Sequence, residues 1–150
     1  KEQVKKDVEN AREKVDVLIV AMHWGVEYTH EPTAYEKDMA SYLADLGVDI
    51  IIGTHPHVIQ PIEWIDDTLV IYSLGNFLSG QEGMDRRVGL MVSIDIEKKE
   101  DNIELSAPTA TLTYTHYKEG KTKTNFKVYP FDKLNNNKYT IVLQGTKFIL

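Results

Sequence analysis

Three of the chain's five histidines occupy positions where imidazoles could bind metal. His23 follows one apolar run, and His55 and His57 flank Pro56 at the end of another. Imidazole is the commonest side-chain metal ligand and is largely neutral at pH 7. Because Pro56 restricts the backbone between its two histidines, that pair can address neighbouring targets with little loss of conformational freedom. Three converging imidazoles would suffice for one catalytic zinc ion with an open position for water.

Other polar residues near these motifs are candidates for contact with a ligand. Glu27 could bind metal, orient an imidazole or be a solvent-exposed charge, and we favour contact with an imidazole or with substrate. Asn76 could orient its loop or contact a ligand, although asparagine is also common in turns. Arg86 and Arg87 could clamp an anionic substrate, or they are ordinary surface charges.

The segments around the histidines predict a βαβ unit. The segments 16–22 and 48–52, apolar apart from Asp16 and Asp49, are typical of strands buried on both faces of a parallel sheet. Between them, Thr33 and Glu36 predict a capping box, and Gly47 is a suitable helix stop. Both histidine motifs then follow the carboxyl ends of adjacent strands, where open α/β sheets bind ligands.

Spacing of apolar residues predicts two helices. One would bury the stripe Val4, Val8, Ala11 and Val15, and the other the stripe Tyr35, Met39, Leu43 and Leu46.

The later part of the chain predicts antiparallel strands. Residues 62–72 read as a hairpin around Asp66-Asp67, followed by a loop at 73–80 and a strand at 88–96. A charged turn at 98–102 precedes 103–117, which is one long strand or two short ones. A further strand at 125–129 and an apolar segment at 139–150 complete the pattern.

Composition limits the class of protein. The 150 residues suit one domain, and the hydrophobic (42%) and charged (27%) fractions are those of a globular protein. A net charge of −6 gives no basic footprint for nucleic acid. With no cysteine, thiolate ligands are excluded, and no apolar run approaches the roughly 20 residues of a membrane-spanning helix.

Three motifs stand out in chain order: His23-Trp24-Gly25-x-Glu27-Tyr28, Gly53-Thr54-His55-Pro56-His57-Val58 and Tyr72-Ser73-Leu74-Gly75-Asn76-Phe77. Together they resemble a known family, the CapA proteins of poly-γ-glutamate capsule biosynthesis. That family is similar to the calcineurin-like metallophosphoesterases. The resemblance covers residues 15 to about 95.

The resemblance implies an α/β fold, a partial metallophosphatase β-sandwich flanked by helices, with antiparallel strands in its C-terminal part. It also implies a centre of two divalent ions (Mn, Fe or Zn), with His23 and His55 on one ion and His57 on the other. The family's remaining ligand motifs precede the position of His23 and are not in this chain. We therefore expect residues 1–150 to be the C-terminal portion of one such domain, with an incomplete metal site.

The function implied is capsule biosynthesis, in one of two forms. One is a metal-dependent hydrolase of the phosphoesterase type, and the other is a non-enzymatic protein that binds, exports or anchors the capsule polymer. Expected partners are an anionic polymer or a phosphoester substrate and other capsule-synthesis proteins. The resemblance implies an extracellular or cell-surface location, with membrane association only through segments outside this chain. A third reading is an α/β domain whose histidines have no chemical role.

Overall fold

A computed structural model of the chain describes residues 1–100 and 102–134. The helices and strands are α1 Glu2–Arg12, β1 Ile19–His23, α2 Ala34–Asp45, β2 Ile50–Thr54, β3 Ile62–Ile65, β4 Thr68–Ile71, β5 Val88–Ser93, β6 Ile96–Lys99, β7 Asn102–Leu105, β8 Thr109–Lys118 and β9 Thr124–Pro130. Short 3₁₀ turns lie at Asp85–Arg87 and Phe131–Lys133. The strands form a first sheet in the order β1-β2-β4-β3, a second sheet in the order β5-β8-β9, and the hairpin β6-β7.

The first sheet contains the predicted βαβ unit. β1 and β2 are parallel and adjacent, and α2 connects them. β4 continues the parallel pairing beside β2, and β3 runs antiparallel to β4, which confirms the predicted hairpin. Residues of β2 alternate between the two faces: Ile51 packs with the helices, whereas Ile50 packs on the opposite side.

Helix α2 begins and ends where the sequence predicts. The Thr33 side chain accepts a hydrogen bond from the Glu36 backbone, and the Glu36 side chain accepts one from the Thr33 backbone. Gly47 follows the helix with a φ of +80°, which glycine adopts without steric cost. Met39 and Leu43 are buried against the first sheet.

Two residues of the predicted helix stripes are exposed. Val15 is 43% exposed, because α1 ends at Arg12 and Val15 lies beyond it. Tyr35 is 59% exposed in the first turn of α2, where the buried face instead includes Glu36. Periodicity therefore predicted the helices correctly and their terminal contacts wrongly.

Burial of the two parallel strands differs from the prediction for one of them. β2 is central and largely buried, as expected, but β1 lies at the edge of the sheet. Ile19 on β1 is consequently 50% exposed. The prediction that β1 is buried on both faces is wrong within the described residues, because only β2 pairs with it.

Antiparallel pairing dominates the later strands, as predicted. β8 pairs with both β5 and β9, and the residues predicted as one or two strands at 103–117 form two, β7 and β8. The predicted strand at 88–96 is divided between β5 and the start of β6. The predicted charged turn is the tip of the β6–β7 hairpin.

The elements form three layers. Helices α1 and α2 cover one face of the first sheet. On the other face, Leu69 and Ile71 pack with Val92 and Leu105, which come from the antiparallel strands. The fold is therefore mixed α/β, with β-layers stacked on each other and helices outside, as the family resemblance implied.

Two further predictions concern the apolar segment near the C-terminus and membrane-spanning helices. The predicted apolar segment at 139–150 lies outside the described residues. Within residues 1–100 and 102–134, none of the helices is long and apolar enough to cross a membrane.

Candidate metal centre

The three histidines of the sequence prediction meet at the carboxyl edge of the first sheet. Because β1 and β2 are parallel neighbours in register, His23 lies opposite Thr54, one residue before His55. The ring centroids of His23 and His55 are 4.6 Å apart, and those of His55 and His57 are 6.1 Å apart. Residues more than 30 positions apart in the chain thus form one cluster.

Two backbone hydrogen bonds join the loop after β1 to the loop after β2. The Trp24 amide donates to the Thr54 carbonyl (3.1 Å), and the Tyr28 amide donates to the Pro56 carbonyl (2.8 Å). Residues 24–28 are therefore held along residues 54–56. This pairing determines which side chains can face each other across the two loops.

Backbone strain is concentrated in these loops. Tyr28, His55 and His57 have φ values of 64°, 102° and 60°, in the region that non-glycine residues rarely adopt. Such conformations cost of order 1–3 kcal/mol each, and they persist where surrounding contacts impose them. Strain at three residues of one small cluster is typical of a functional site.

Trp24 and Gly53 fix the end of the sheet. The buried Trp24 indole donates to the Tyr72 carbonyl (3.0 Å) and so links the end of β1 to the residue after β4. A Cβ on Gly53 would lie 1.9 Å from that carbonyl oxygen and 2.3 Å from Trp24 Nε1. Glycine is required at position 53 because the indole and the Tyr72 carbonyl occupy the space of a side chain.

The orientation of His57 is set by Asn76. The Asn76 amide nitrogen donates to Gln81 Oε1 (2.9 Å) and to the Arg86 carbonyl (3.0 Å), which can only accept. This places Asn76 Oδ1 against His57 Nδ1, at 2.9 Å. His57 Nδ1 must therefore carry hydrogen, and the neutral ring presents an unprotonated Nε2 to the site.

The orientation of His23 follows the same logic. Thr54 Oγ1 donates to the Met22 carbonyl (2.9 Å), so its remaining capacity toward His23 Nδ1, 3.4 Å away, is that of an acceptor. This longer contact favours hydrogen on His23 Nδ1 and an unprotonated Nε2. In metal-binding histidines, the N–H of the ring nitrogen that does not bind the metal generally donates a hydrogen bond to a nearby acceptor.

Glu27 lies close to two of the histidines, His55 and His57. Glu27 Oε1 is 3.7 Å from His57 Nε2. One potential ligand atom each from Glu27, His55 and His57 lies within 4.8 Å of the others. Glu27 is exposed and the two histidines are partly exposed, so an ion from solvent can reach them.

Arg86 and Arg87 have different environments. The Arg86 guanidinium stacks on Tyr28, with Cζ 4.1 Å from the ring centroid, and the Tyr28 ring lies beside His57. Arg87 points away from the cluster: its Nε donates to the Thr115 carbonyl and its guanidinium stacks on Tyr117. Only Arg86 is therefore positioned near the histidines.

Two members of the site were missed by sequence reasoning. Tyr28 supports Arg86, and Gln81 accepts the hydrogen bond that orients Asn76. Neither role has a sequence signal of its own, because each depends on a contact between separate loops. All five predicted site residues, His23, Glu27, His55, His57 and Asn76, lie at this edge of the sheet.

The donor set fits a divalent transition-metal ion. Imidazole nitrogens with a carboxylate suit Zn, Mn or Fe, and the ligand types do not select among them. Two of the imidazoles have their Nδ1 committed to an acceptor, which leaves Nε2 for an ion. The division of His23, His55 and His57 between two ions stays a prediction.

Comparison with known proteins gives consistent results. The family model described as bacterial capsule synthesis protein PGA_cap matches residues 1–81. The PGA biosynthesis protein CapA of Bacillus subtilis is 37% identical over 91 residues, which cover 61% of this chain and 24% of that protein. The capsule biosynthesis protein CapA of Bacillus anthracis is 37% identical over 79 residues, covering 53% and 19% respectively.

A more distant match is a probable polyglutamine synthesis accessory protein of Mycobacterium tuberculosis, strain H37Rv. It is 30% identical over 69 residues, covering 46% of this chain and 18% of that protein. The chain thus spans about a quarter or less of the length of these relatives. The matched region of the family model contains the entire histidine cluster.

Proposed function

The chain belongs to the bacterial capsule synthesis protein family, and from this membership we propose that it acts in poly-γ-glutamate capsule biosynthesis through a metal-dependent hydrolytic centre. The convergence of His23, His55 and His57 at one sheet edge carries the proposal. The His55 ring lies 4.6 Å from the His23 ring and 6.1 Å from the His57 ring, and these imidazoles have no evident packing role at a partly exposed edge. They suit the binding of Zn, Mn or Fe.

The chain's own residues would perform three tasks. His23, His55 and His57 would hold metal, and Asn76 would keep the His57 ring in its ligating tautomer. Strained loop backbone and the Trp24–Tyr72 hydrogen bond would keep these rings in place before substrate arrives. A bound divalent ion would supply Lewis acidity and a more acidic water for attack on a phosphoester or related bond.

The position of Arg86 favours a substrate with a negatively charged group. Its guanidinium lies over Tyr28 next to the histidines, and among the described residues its buried Nε has no hydrogen-bond partner, since Asp85 Oδ1 is 3.9 Å away. Arginine recognises phosphate and carboxylate through several fixed donors. A negatively charged group placed beside His57 would give Arg86 a partner for these donors.

A second candidate function is binding of the anionic capsule polymer without hydrolysis. Lys118, Lys121 and Lys127 lie on β8–β9 and its connecting turn, and they are exposed. None forms an ion pair with another residue in the ranges 1–100 and 102–134. Unpaired lysines on one hairpin attract polyanions.

For either function, we propose that the protein works outside the cell or at its surface, together with other capsule-synthesis proteins.

The decisive experiment measures metal content and hydrolysis together. The natural protein that carries this chain would be compared with a His55→Ala/His57→Ala variant, using elemental analysis and bis(p-nitrophenyl) phosphate as the probe. We expect bound metal and hydrolysis in the parent protein, and at least about 100-fold weaker metal binding in the variant because two ligands are lost.

His116→Ala is the matched control, because His116 lies on β8 and outside the cluster. It should leave metal content unchanged. Absence of metal from the parent protein after incubation with Zn, Mn and Fe would overturn the proposal. Bound metal without hydrolysis, combined with binding of poly-γ-glutamate that Lys118→Gln/Lys127→Gln weakens, would favour the second candidate.

A further inference from the structure

The contact between Glu27 and His57 is unusual in its chemistry. His57 Nδ1 is committed to Asn76 Oδ1, so the neutral ring offers only a lone pair at Nε2. The ionised Glu27 carboxylate also offers only lone pairs. These two acceptors face each other at 3.7 Å, which is repulsive unless a cation lies between them or His57 carries a second proton.

We infer that Glu27 is itself a metal ligand, and that Glu27, His55 and His57 bind one divalent ion as a His₂-carboxylate set. The inference rests on the proposed function and deepens it, because it adds a carboxylate ligand from within this chain. It differs from the expectation that Glu27 orients an imidazole or contacts substrate, and from the expectation that His55 and His57 belong to different ions.

Distances favour direct binding. Ligand atoms about 2.0–2.1 Å from a tetrahedral zinc ion lie roughly 3.3 Å from each other. The Glu27–His57 distance of 3.7 Å is slightly longer than this, and the whole set lies within 4.8 Å. Small rotations of exposed side chains would close the set. At 3.7 Å, Glu27 and His57 are also too far apart for a normal hydrogen bond.

The loop pairing holds Glu27 where a ligand is needed. The Tyr28–Pro56 backbone hydrogen bond fixes the residue after Glu27 against the residue before His57. Arg86 stacks on the ring of the same Tyr28, and on the other side of Glu27 the Trp24 amide donates to the Thr54 carbonyl, so the chain is held both before and after Glu27. Glu31 lies in the same loop but belongs to no such group of potential ligands among the described residues.

Charge also favours a ligand. Glu27 and two neutral imidazoles reduce a divalent ion's charge by one, as in the His₂Glu sites of zinc hydrolases. The rival explanation is an ordinary ion pair between Glu27 and a doubly protonated His57. The two explanations differ in what removal of the carboxylate does to metal affinity.

The test measures Zn²⁺ affinity by calorimetry and Co²⁺ ligand-field absorption in the natural protein that carries this chain. Glu27→Gln should weaken Zn²⁺ binding at least about 100-fold, beyond the 10–100-fold typical of residues that only orient a ligand. The Co²⁺ spectrum should change, because a carboxylate leaves the coordination sphere. Glu27→Asp keeps the carboxylate and should keep part of the affinity, and Glu31→Gln should match the parent.

The possible outcomes bear differently on the Glu27 inference and on the proposed hydrolytic function. If the parent binds metal and Glu27→Gln binds it equally well with an unchanged Co²⁺ spectrum, the inference is wrong and the hydrolytic proposal stands. If the parent binds no metal, both are wrong. If Glu27→Gln fails to fold, Glu27→Ala takes its place: unchanged Zn²⁺ affinity with an unchanged Co²⁺ spectrum overturns the inference, and a changed spectrum with reduced affinity supports it.

Discussion

The first and second sheets differ in what they do with the ends of their strands. In the first sheet, β1 and β2 run parallel, so the loops after both strands leave from the same edge and bring His23 beside His55. In the second sheet, neighbouring strands run antiparallel, and residues that follow adjacent strands lie at opposite edges. Parallel pairing therefore places the histidines that follow neighbouring strands at one edge. The antiparallel strands of the second sheet do not bring such residues together.

Net charge also differs between two stretches of the chain. Residues 1–81 contain 6 Lys and Arg and 14 Asp and Glu, a net charge of −8. Residues 102–134 contain 5 Lys and 3 Asp and Glu, a net charge of +2. An acidic region with clustered imidazoles suits a cation, and a basic strand pair suits an anionic polymer. The difference indicates that the total charge of −6 describes neither region.

The largest loss of stability is expected at Gly53, at the edge of the first sheet, where the Tyr72 carbonyl occupies the space that a side chain would need. Gly53→Ala places a methyl group 1.9 Å from the Tyr72 carbonyl oxygen, and backbone cannot move away easily. We expect a loss of about 3 kcal/mol or more in the free energy of unfolding, measured by urea denaturation.

Gly80→Ala is the control for this comparison. Its methyl group would meet Phe126 and Lys123 of the β9 region no closer than 3.4 Å, an ordinary contact. We expect a change within about 0.5 kcal/mol. Equal stability of Gly53→Ala and Gly80→Ala would show that the Trp24–Tyr72 link is not what fixes the edge.

A smaller effect is expected from the residue that orients His57. Asn76→Ala removes the acceptor at His57 Nδ1 and frees the ring to rotate or change tautomer. Metal affinity measured by calorimetry should fall about 10–100-fold, with a small change in stability. Asn102→Ala, on β7, is the matched control. If both variants bound metal equally, the orienting role of Asn76 would be excluded.

The smallest expected effect is on the pH dependence of stability, through the buried Tyr72 hydroxyl. This hydroxyl donates a hydrogen bond to Glu63 Oε1 at 2.8 Å. Burial, together with Glu63, raises the pKa of Tyr72 well above its ordinary value of 10.0. The folded state then holds a proton that the unfolded state releases, so stability is full below pH 10 and falls as pH rises above it.

Tyr72→Phe tests this pH dependence. The variant should lose about 1–2 kcal/mol at pH 7, because a hydrogen bond to a charged acceptor is removed. It should also show a shallower loss of stability above pH 10 in urea titrations at several pH values. An alkaline loss as steep as that of the parent would contradict the assignment to Tyr72.

Much of the local structure could be predicted from short stretches of sequence. The Thr33–Glu36 capping box, the Gly47 stop and the hairpin around Asp66-Asp67 involve residues within a few positions of each other. The βαβ unit followed from two apolar runs and the helix between them. These features depend on local propensity and periodicity, which the sequence displays directly.

Edge position and terminal contacts could not be predicted in the same way. The apolar run before His23 reads as a buried strand, yet β1 lies at the edge of the sheet. Apolar composition indicates that a strand can be buried, but its neighbours decide whether it is. Similarly, the i, i+4 pattern does not reveal where α1 ends, and Val15 is exposed for that reason.

By itself the sequence determined that His23, His55 and His57 follow adjacent parallel strands, and that they meet at one edge. Only the tertiary structure decided that Asn76 fixes the tautomer of His57, that Arg86 lies over Tyr28 and that Glu27 faces His57. The physical reason is separation along the chain: strand order follows from local patterns, whereas contacts across loops depend on packing between residues 19 to 58 positions apart.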